Sequence, residues 1–562
     1  MSFGEKMFLI CVVATVIVVM ALIPTDPKSQ VRRGMPSPVD WDAVQDDPSQ
    51  KIDLTWLGIP SYETAKEESW IERNLEKRFN LELKPIFMDA NAYNKRRPLM
   101  LCGGDIPDVM WSGAPFQVRA NQRNGFIMEL PVDLILKHCP TYVKWLNTYG
   151  KEAWLYSQYE GKNYGLPTVD ADANRPRISC WRKDWLHNVG IEKVPETVAE
   201  MHEALYRFRH NDPDGNGEKD TYGWAPTIAH WSVTFVEMFA AYGVLGFDLM
   251  ERDGRVVWGG VLPETKQALR ELRKWYQEDL LDPDFPLDSQ GRYNETKFIN
   301  GRVGYLYPVD RLSYYDLNEP TSLASKTRAF DPAAKLVPGP PLRDQNGQRR
   351  GRSWGGAAHI IQFGKQLEDQ PEKVIRVLDM MEAISRDETL YMESRNGKRG
   401  QHWEYYAKAF VREDGKKQKE GINLLPPYDQ DDHNREKAAE LLDGRCIFFF
   451  PCGLQQIYDE NYMATAEREW MQRNRRLEWG MMNVLGKSDV VPSSSRYLGD
   501  LLNYQVTFFI EIVLGDRDIE EFDDFVAEWR RRGGDVILEE ANVMYEQLHA
   551  IYKRVGVTEK GQ

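Results

Sequence analysis

Two strand-like segments joined by a helical one constrain this chain more than any other feature. IDLTWLGI (52–59) and LELKPIF (81–87) have the apolar character of buried strands, and between them Ile71, Leu75 and Phe79 fall at helical spacing. Parallel neighbours cannot be joined by a tight turn. They need a crossover of a dozen or more residues, so strand, helix and strand in that order specify a parallel pair covered by a helix. The fold class is α/β. Later signals agree with it. Thr197 and Glu200 make a T-x-x-E capping box ahead of an apolar stripe at Val198, Met201, Leu205 and Phe208. Near the end, Phe522, Phe525, Val526 and Trp529 make another stripe, which Gly533-Gly534 is expected to terminate. With 562 residues, the chain needs at least two lobes around separate cores, since single domains usually hold ~100–150 residues.

The N-terminus carries an address. MFLICVVATVIVVMALI (7–23) has no charged residue and no helical-period polar interruption, which marks an export segment rather than a core helix. No small-residue cleavage site follows, so an uncleaved signal anchor over 1–23 is favoured over a cleaved signal peptide. Phe8-Leu9-Ile10 ahead of Cys11 lacks the small residues that precede a lipid-modified cysteine. Lys6 before the run and Lys28, Arg32 and Arg33 after it leave orientation undecided. Five prolines between 24 and 50 read as an extended tether. The net charge of −14 repels a phosphate backbone, and no basic stripe overrides it, which excludes nucleic acid as a ligand. Of the six cysteines only Cys446 and Cys452 are close enough in sequence to invite pairing, and no disulfide is expected.

The sharpest motif is NDPDGNGEKDTYG (211–223). Asp212, Asp214 and Asn216 alternate, Gly217 follows, and Asp220 completes positions 1, 3, 5 and 9 of a calcium loop, with the Glu218 carbonyl at position 7. A hard cation needs several converging oxygens, and this set holds oxygen donors only. Position 12 is Gly223 instead of a bidentate glutamate, so Thr221, water or a distant residue has to complete the shell. GRSWG (351–355) matches a nucleophile elbow with Ser353 as nucleophile and His359 or His402 as base. A polar, turn-rich stretch precedes it where an elbow needs a buried strand, so the match is weak. GMMNVLGKS (480–488) has one residue too many between its glycines for a phosphate loop, and His202-Glu203 lacks the second histidine of a zinc helix.

The block ISCWRKDWLHNVGIEKVPETVAEMHEALYRFRHNDPDGNGEKDTYG (178–223) resembles the extracellular solute-binding proteins of ABC carbohydrate importers, in the branch of the large alginate-oligosaccharide binders. GGDIPDVMW (103–111), GKNYGLPT (161–168), KFINGRVG (297–304) and EIVLGDRDIEEFDDFVAEWRRRGGD (511–535) resemble further landmarks of that family in order. The resemblance implies a two-lobed periplasmic-binding-protein fold of type II kind with a ligand cleft between lobes, no catalysis, and delivery of an oligosaccharide to membrane permease subunits. It also implies a structural calcium ion at Asp212, Asp214, Asn216, Glu218 and Asp220, although Thr221 stands where the alginate binders have a glutamate. On this reading residues 51–168 and 295–350 form the first lobe, 169–294 and 351–490 the second, and 491–562 C-terminal helices packed on both. The protein is expected at the periplasmic or cell-surface side, anchored and monomeric.

A cleft that holds sugars needs aromatic faces and hydrogen-bonding groups at loop ends, where α/β sheets bind ligands. Tyr62, Trp111, Trp181, Arg182, Trp231, Trp354, His402 and Trp403 stand at such places. Each is as readily a packed ring, and about half are expected in the cleft, with Trp111 and Trp354 first for stacking and Arg182 for hydroxyl or carboxylate recognition. Two other classes compete: an anchored extracytoplasmic hydrolase of polysaccharide or ester, and a calcium-stabilised adhesion or scaffold protein.

Overall fold

Nine strands build the two main sheets: β1 (Ile52–Leu57), β2 (Leu81–Ile86), β3 (Val109–Ser112), β4 (Leu166–Val169), β5 (Ser179–Arg182), β6 (Tyr222–Trp224), β7 (Val303–Leu306), β8 (Leu336–Gly339) and β9 (Ala357–Phe363). They come from a computed structural model that describes residues 39–59, 68–288, 293–405, 422–428 and 465–557. The chain divides into two units between Gln45 and Asp46. Of the first, 39–45 contain a turn in which the Trp41 N–H donates to the Val39 carbonyl. The apolar run 7–23, Tyr62, Cys446 and Cys452 lie outside the described residues. Among the described residues no helix is long and apolar enough to cross a membrane.

The β-α-β start forms as its periodicity dictates. Ser69 caps the helix Trp70–Phe79 by accepting from the Glu72 N–H, and Asn80 ends it in the left-handed conformation. Ile71 and Leu75 are fully buried, and the crossover lays β2 parallel to β1 in the register Ile52↔Leu81 to Leu57↔Ile86. The first sheet has the order β2-β1-β3-β9-β4 and the second β8-β5-β7-β6. β3 is parallel to β1, whereas β9 runs antiparallel to both β3 and β4.

This pairing corrects the expected division of the chain. Segment 295–350, assigned to the first lobe, supplies β7 and β8 to the second sheet, and segment 351–490, assigned to the second, supplies β9 to the first. An apolar run such as VGYL is buried on both faces in either sheet, so its composition says nothing about which sheet accepts it. Pairing partners decide that, and they are tens to hundreds of residues away.

The C-terminal stripe is also corrected. Phe522, Phe525 and Trp529 are buried as expected, but Gly533-Gly534 do not end the structure. The chain passes from the helix Phe522–Trp529 through a wide turn (Arg530–Gly534) into a further helix, Asp535–Val555. Gly533 kinks it at φ 120°, a conformation other residues rarely adopt, and any Cβ there would meet the Tyr497 ring at 2.5 Å. The C-terminal helices bond to distant parts of the chain. Gln505 accepts from Trp258 Nε1 at 2.7 Å, the Val555 carbonyl accepts from Asn147 Nδ2 at 2.8 Å, and Arg554 pairs with Asp133.

Candidate functional site

The helix Val198–His210 carries the capping box read from the sequence: the Thr197 hydroxyl accepts from the Glu200 N–H, and the Glu200 carboxylate accepts from the Thr197 N–H. It delivers the chain straight into the 212–220 loop. There Asp212, at φ 47°, accepts from the backbone N–H groups of Asn216 and Gly217, which curls the loop around its own first carboxylate. The Asn216 amide donates to Asp214 at 3.0 Å and Asp220 at 3.3 Å, and Arg302 donates to Asp220 at 2.6 Å. Desolvation, the Asp212 carboxyl and the charge of Asp220 hold Asp214 above the usual carboxylate range. Among the described residues no group of three or more His, Cys, Asp or Glu side chains stands ready to hold a metal ion. The donor chemistry nevertheless fits a hard cation, because Asp212, Asp214, Asn216 and Asp220 all carry side-chain oxygens. Thr221 does not complete the shell. Its side chain is buried and its hydroxyl donates to the Phe208 carbonyl at 2.7 Å. Position 12 is glycine for a packing reason: a Cβ on Gly223 would lie 2.6 Å from Leu205 Cβ on the helix that β6 packs against.

A second constellation lies where the chain passes between the sheets. The segment 170–178, which links β4 to β5, runs beside 351–356, which leads to β9. The Asp170 N–H donates to the Gly356 carbonyl, Arg177 N–H to Arg352, and Trp354 N–H to Ala173. A third segment joins them through the parallel pairing of Gly351–Arg352 with Gly480–Met481. Asp172 ties the same region by ion pairs to Arg175 and Arg475.

Trp354 is 44% exposed and Arg352 only 4%. The Arg352 guanidinium lies 4.3 Å from the Trp354 ring and 5.4 Å from that of Trp231, and Arg177 lies 5.1 Å from Trp354. Arg352 Nε donates to Asp248 at 2.9 Å, while its Nη1 is buried without a hydrogen-bond partner. Desolvation and the charges of Arg352 and Arg177 hold the neighbouring His230 below the usual imidazole range. Tyr307, just beyond the carboxyl end of β7, has a buried hydroxyl without a partner. Burial raises its pKa, Glu237 adds to the rise, and Arg177 and Arg352 oppose it. Glu237 is itself buried with one oxygen unpartnered, and burial pushes it up to about 8. Unpaired buried polar atoms each cost roughly 1–3 kcal/mol, so a partner for these groups would be stabilising.

The other expected contacts are dispersed. Trp181 is buried edge-on against Tyr305 at 4.6 Å. Arg182, also buried, makes ion pairs with Asp184 and Asp331 while its Nη1 has no hydrogen-bond partner. His402 and Trp403 are buried; His402 Nδ1 accepts from the Lys398 N–H, and Trp403 Nε1 donates to the Gly397 carbonyl. Trp111 is 1% exposed, with its ring set edge-on to His359. Of the eight, Trp231 and Trp354 share one site. Arg177, Arg352, His230, Tyr307 and Glu237 were missed. Their only sequence signal is position, in the loops and crossover segments between apolar runs. The nucleophile elbow is absent: Ser353 is buried and its hydroxyl donates to the Met481 carbonyl at 3.2 Å.

Comparison with known proteins adds a lineage. A family model described as bacterial extracellular solute-binding protein matches residues 61–358. The lipoprotein LipO of Bacillus subtilis is 24% identical over 507 residues, spanning 86% of this chain and 90% of LipO. The polygalacturonan/rhamnogalacturonan-binding protein YtcQ of the same organism is 22% identical over 506 residues, spanning 89% and 92%. Among solved structures, an HMO-binding, ABC-transporter-associated solute-binding protein of Bifidobacterium longum infantis superposes with a TM-score of 0.61 at 16% identity, covering 89% of this chain and 99% of that one.

Proposed function

Because the chain belongs to the bacterial extracellular solute-binding proteins, we propose that it binds an oligosaccharide at the crossover segments and hands it to the permease of an ABC importer, catalysing nothing. The observation that carries this reading is the constellation of Arg177, Arg352 and Trp354 on two hydrogen-bonded crossovers, with the Trp231 ring against Arg352. Crossovers are the hinges on which two lobes close, and the loops beyond strand ends are where α/β sheets hold ligands. Aromatic rings serve the C–H faces of sugars, and guanidinium forks serve their oxygens. A thermal-shift screen of the full chain against neutral and acidic oligosaccharides tests it. At least one sugar should raise the melting temperature by mass action and be recovered intact by mass spectrometry. A sugar returned cleaved, or a panel without any shift, sinks the reading.

Two attachments complete the proposal. Calcium is the fitting ion for Asp212, Asp214, Asn216, the Glu218 carbonyl and Asp220, where it would offset the desolvation and the neighbouring carboxylates that raise Asp214. Metal analysis after dialysis against trace calcium should find the ion in the wild type and not in Asp214→Ala; equal contents in both remove the assignment. The apolar run 7–23 would hold a monomeric protein at the outer face of a membrane.

A further inference from the structure

A groove away from the crossovers carries chemistry that the proposed function does not use. The helix Pro115–Arg123 sets Phe116, Arg119 and Arg123 on one side, since residues three and four apart share a helical face. With Pro492, the hairpin turn at Glu160-Gly161 and the helix Asp535–Val555, they line a groove of about 690 Å³ that includes none of Arg177, Trp231, Arg352 and Trp354. Pockets for small molecules run from roughly 300 to 1,000 Å³.

The groove is apolar where it is open. Phe116 is 50% exposed, and Ala120, Pro492 and Ala550 are exposed with it. A ring held in water among other apolar groups gains by being covered.

The cations of the helix lack a counter-charge at hand. Arg119 donates to the carbonyls of Val490 at 3.1 Å and Asp489 at 2.9 Å, and Arg123 Nε donates to the Tyr159 hydroxyl at 2.9 Å. All three acceptors are neutral, and neither arginine makes an ion pair with another described residue. The hairpin turn sets the last contact: Glu160 at φ 49° and Gly161 at φ 76° connect Gln158–Tyr159 to Lys162–Asn163 and present Tyr159 to Arg123. Among the described residues no hydrogen bond uses the Nη groups of the exposed Arg123. They make an end-on fork whose geometry matches one carboxylate. Glu160, Asp489 and Glu540 are the acidic groups that act on these arginines and oppose an anion. None of them closes to an ion pair with either arginine, and the −14 of the whole chain is screened beyond ~8 Å at physiological salt.

A bare alkyl or aryl group would cover Phe116 and leave the fork empty. An inorganic anion would fill the fork and leave Phe116 in water. A ligand with both parts serves both. We propose that this groove binds a small amphiphilic carboxylate, its apolar body over Phe116 and its carboxylate on the Arg123 fork, at a site separate from that of the oligosaccharide.

Calorimetry on the full chain in phosphatidylcholine nanodiscs tests this with 2-naphthoate as the probe and 2-naphthamide as its neutral counterpart of the same shape. Naphthoate should bind at least tenfold more tightly than the amide. Arg123→Gln should weaken naphthoate tenfold or more and the amide less than twofold, and Arg123→Lys should recover part of the loss. Phe116→Ala should weaken acid and amide alike, whereas Trp354→Ala, which alters the crossover site, should change naphthoate binding less than twofold. Should Arg123→Gln fail to fold, the acid and amide affinities of the wild type and of Phe116→Ala decide. Equal affinity for acid and amide, no binding of either, or naphthoate binding that survives Arg123→Gln or is lost in Trp354→Ala overturns the proposal. Nanodiscs that contain phosphatidylglycerol separate the two sources of an amphiphilic anion: undiminished naphthoate binding there supports a free ligand, and its displacement assigns the groove to a lipid headgroup and overturns one.

Discussion

Gly223 shows how one residue settles a motif. The calcium pattern breaks at its twelfth position because β6 presses on Leu205 there, 2.6 Å from where a Cβ would sit. Gly223→Glu, which restores the sequence pattern, should therefore lose about 1–3 kcal/mol of stability by overpacking and gain no calcium affinity, read by urea unfolding and calcium titration. The two tryptophans chosen for stacking should part company. Trp111→Ala empties a buried site and should cost about 3–5 kcal/mol in the ligand-free protein. Trp354→Ala, at a half-exposed position, should stay within about 1 kcal/mol of wild type while losing ligand affinity. Glu237 makes a pH prediction. Burial lifts it from 4.5 to about 8, so the folded chain holds a proton that the unfolded chain releases. Its contribution to stability is full below pH 4.5 and is lost as pH rises toward 8, with a slope of up to about 1.4 kcal/mol per pH unit. Urea unfolding at pH 5, 6.5 and 8 should show this decline in the wild type and a flatter profile in Glu237→Gln.

At the scale of elements, caps behaved as local signals and terminators did not. The Thr197–Glu200 box forms from neighbours three residues apart and needs nothing else. Gly533-Gly534 carry the same local message as a helix stop, yet Trp529 and Tyr497 pack on them and the chain turns into another helix. Gly533→Ala should cost at least about 1–3 kcal/mol, because the kink requires a φ that alanine avoids and a space that Tyr497 fills. Differential scanning calorimetry reads the loss, and an unchanged melting temperature would mean the kink relaxes without cost.

For the whole molecule, the crossovers are the decisive structure. Three segments far apart in sequence hydrogen-bond side by side, and the site exists only because they do. Breaking the buried Arg352–Asp248 pair with Asp248→Ala leaves an uncompensated guanidinium behind Trp354. That change should cost about 3–5 kcal/mol and weaken oligosaccharide binding together with stability, measured by thermal shift with and without sugar. Intact-mass analysis of membrane-extracted protein should find residues 1–23 still attached; their loss would replace the anchor with a cleaved signal.

What the amino-acid sequence determined by itself was whatever depends on neighbours along the chain. The β-α-β start, the capping box, the oxygen donors of the 212–220 loop and the landmarks of the family all lie within short windows, where periodicity and turn chemistry act directly. Tertiary structure alone decided which sheet received β7, β8 and β9, which rings were core, and which carboxylates the buried arginines met. Trp111 and Trp354 look alike in sequence, each an aromatic at the edge of an apolar or glycine-rich run. One is enclosed because β9 pairs with β3, and the other is half exposed because it stands on a crossover. Burial and charge pairing are sums over residues distant in sequence, and no local pattern contains those sums.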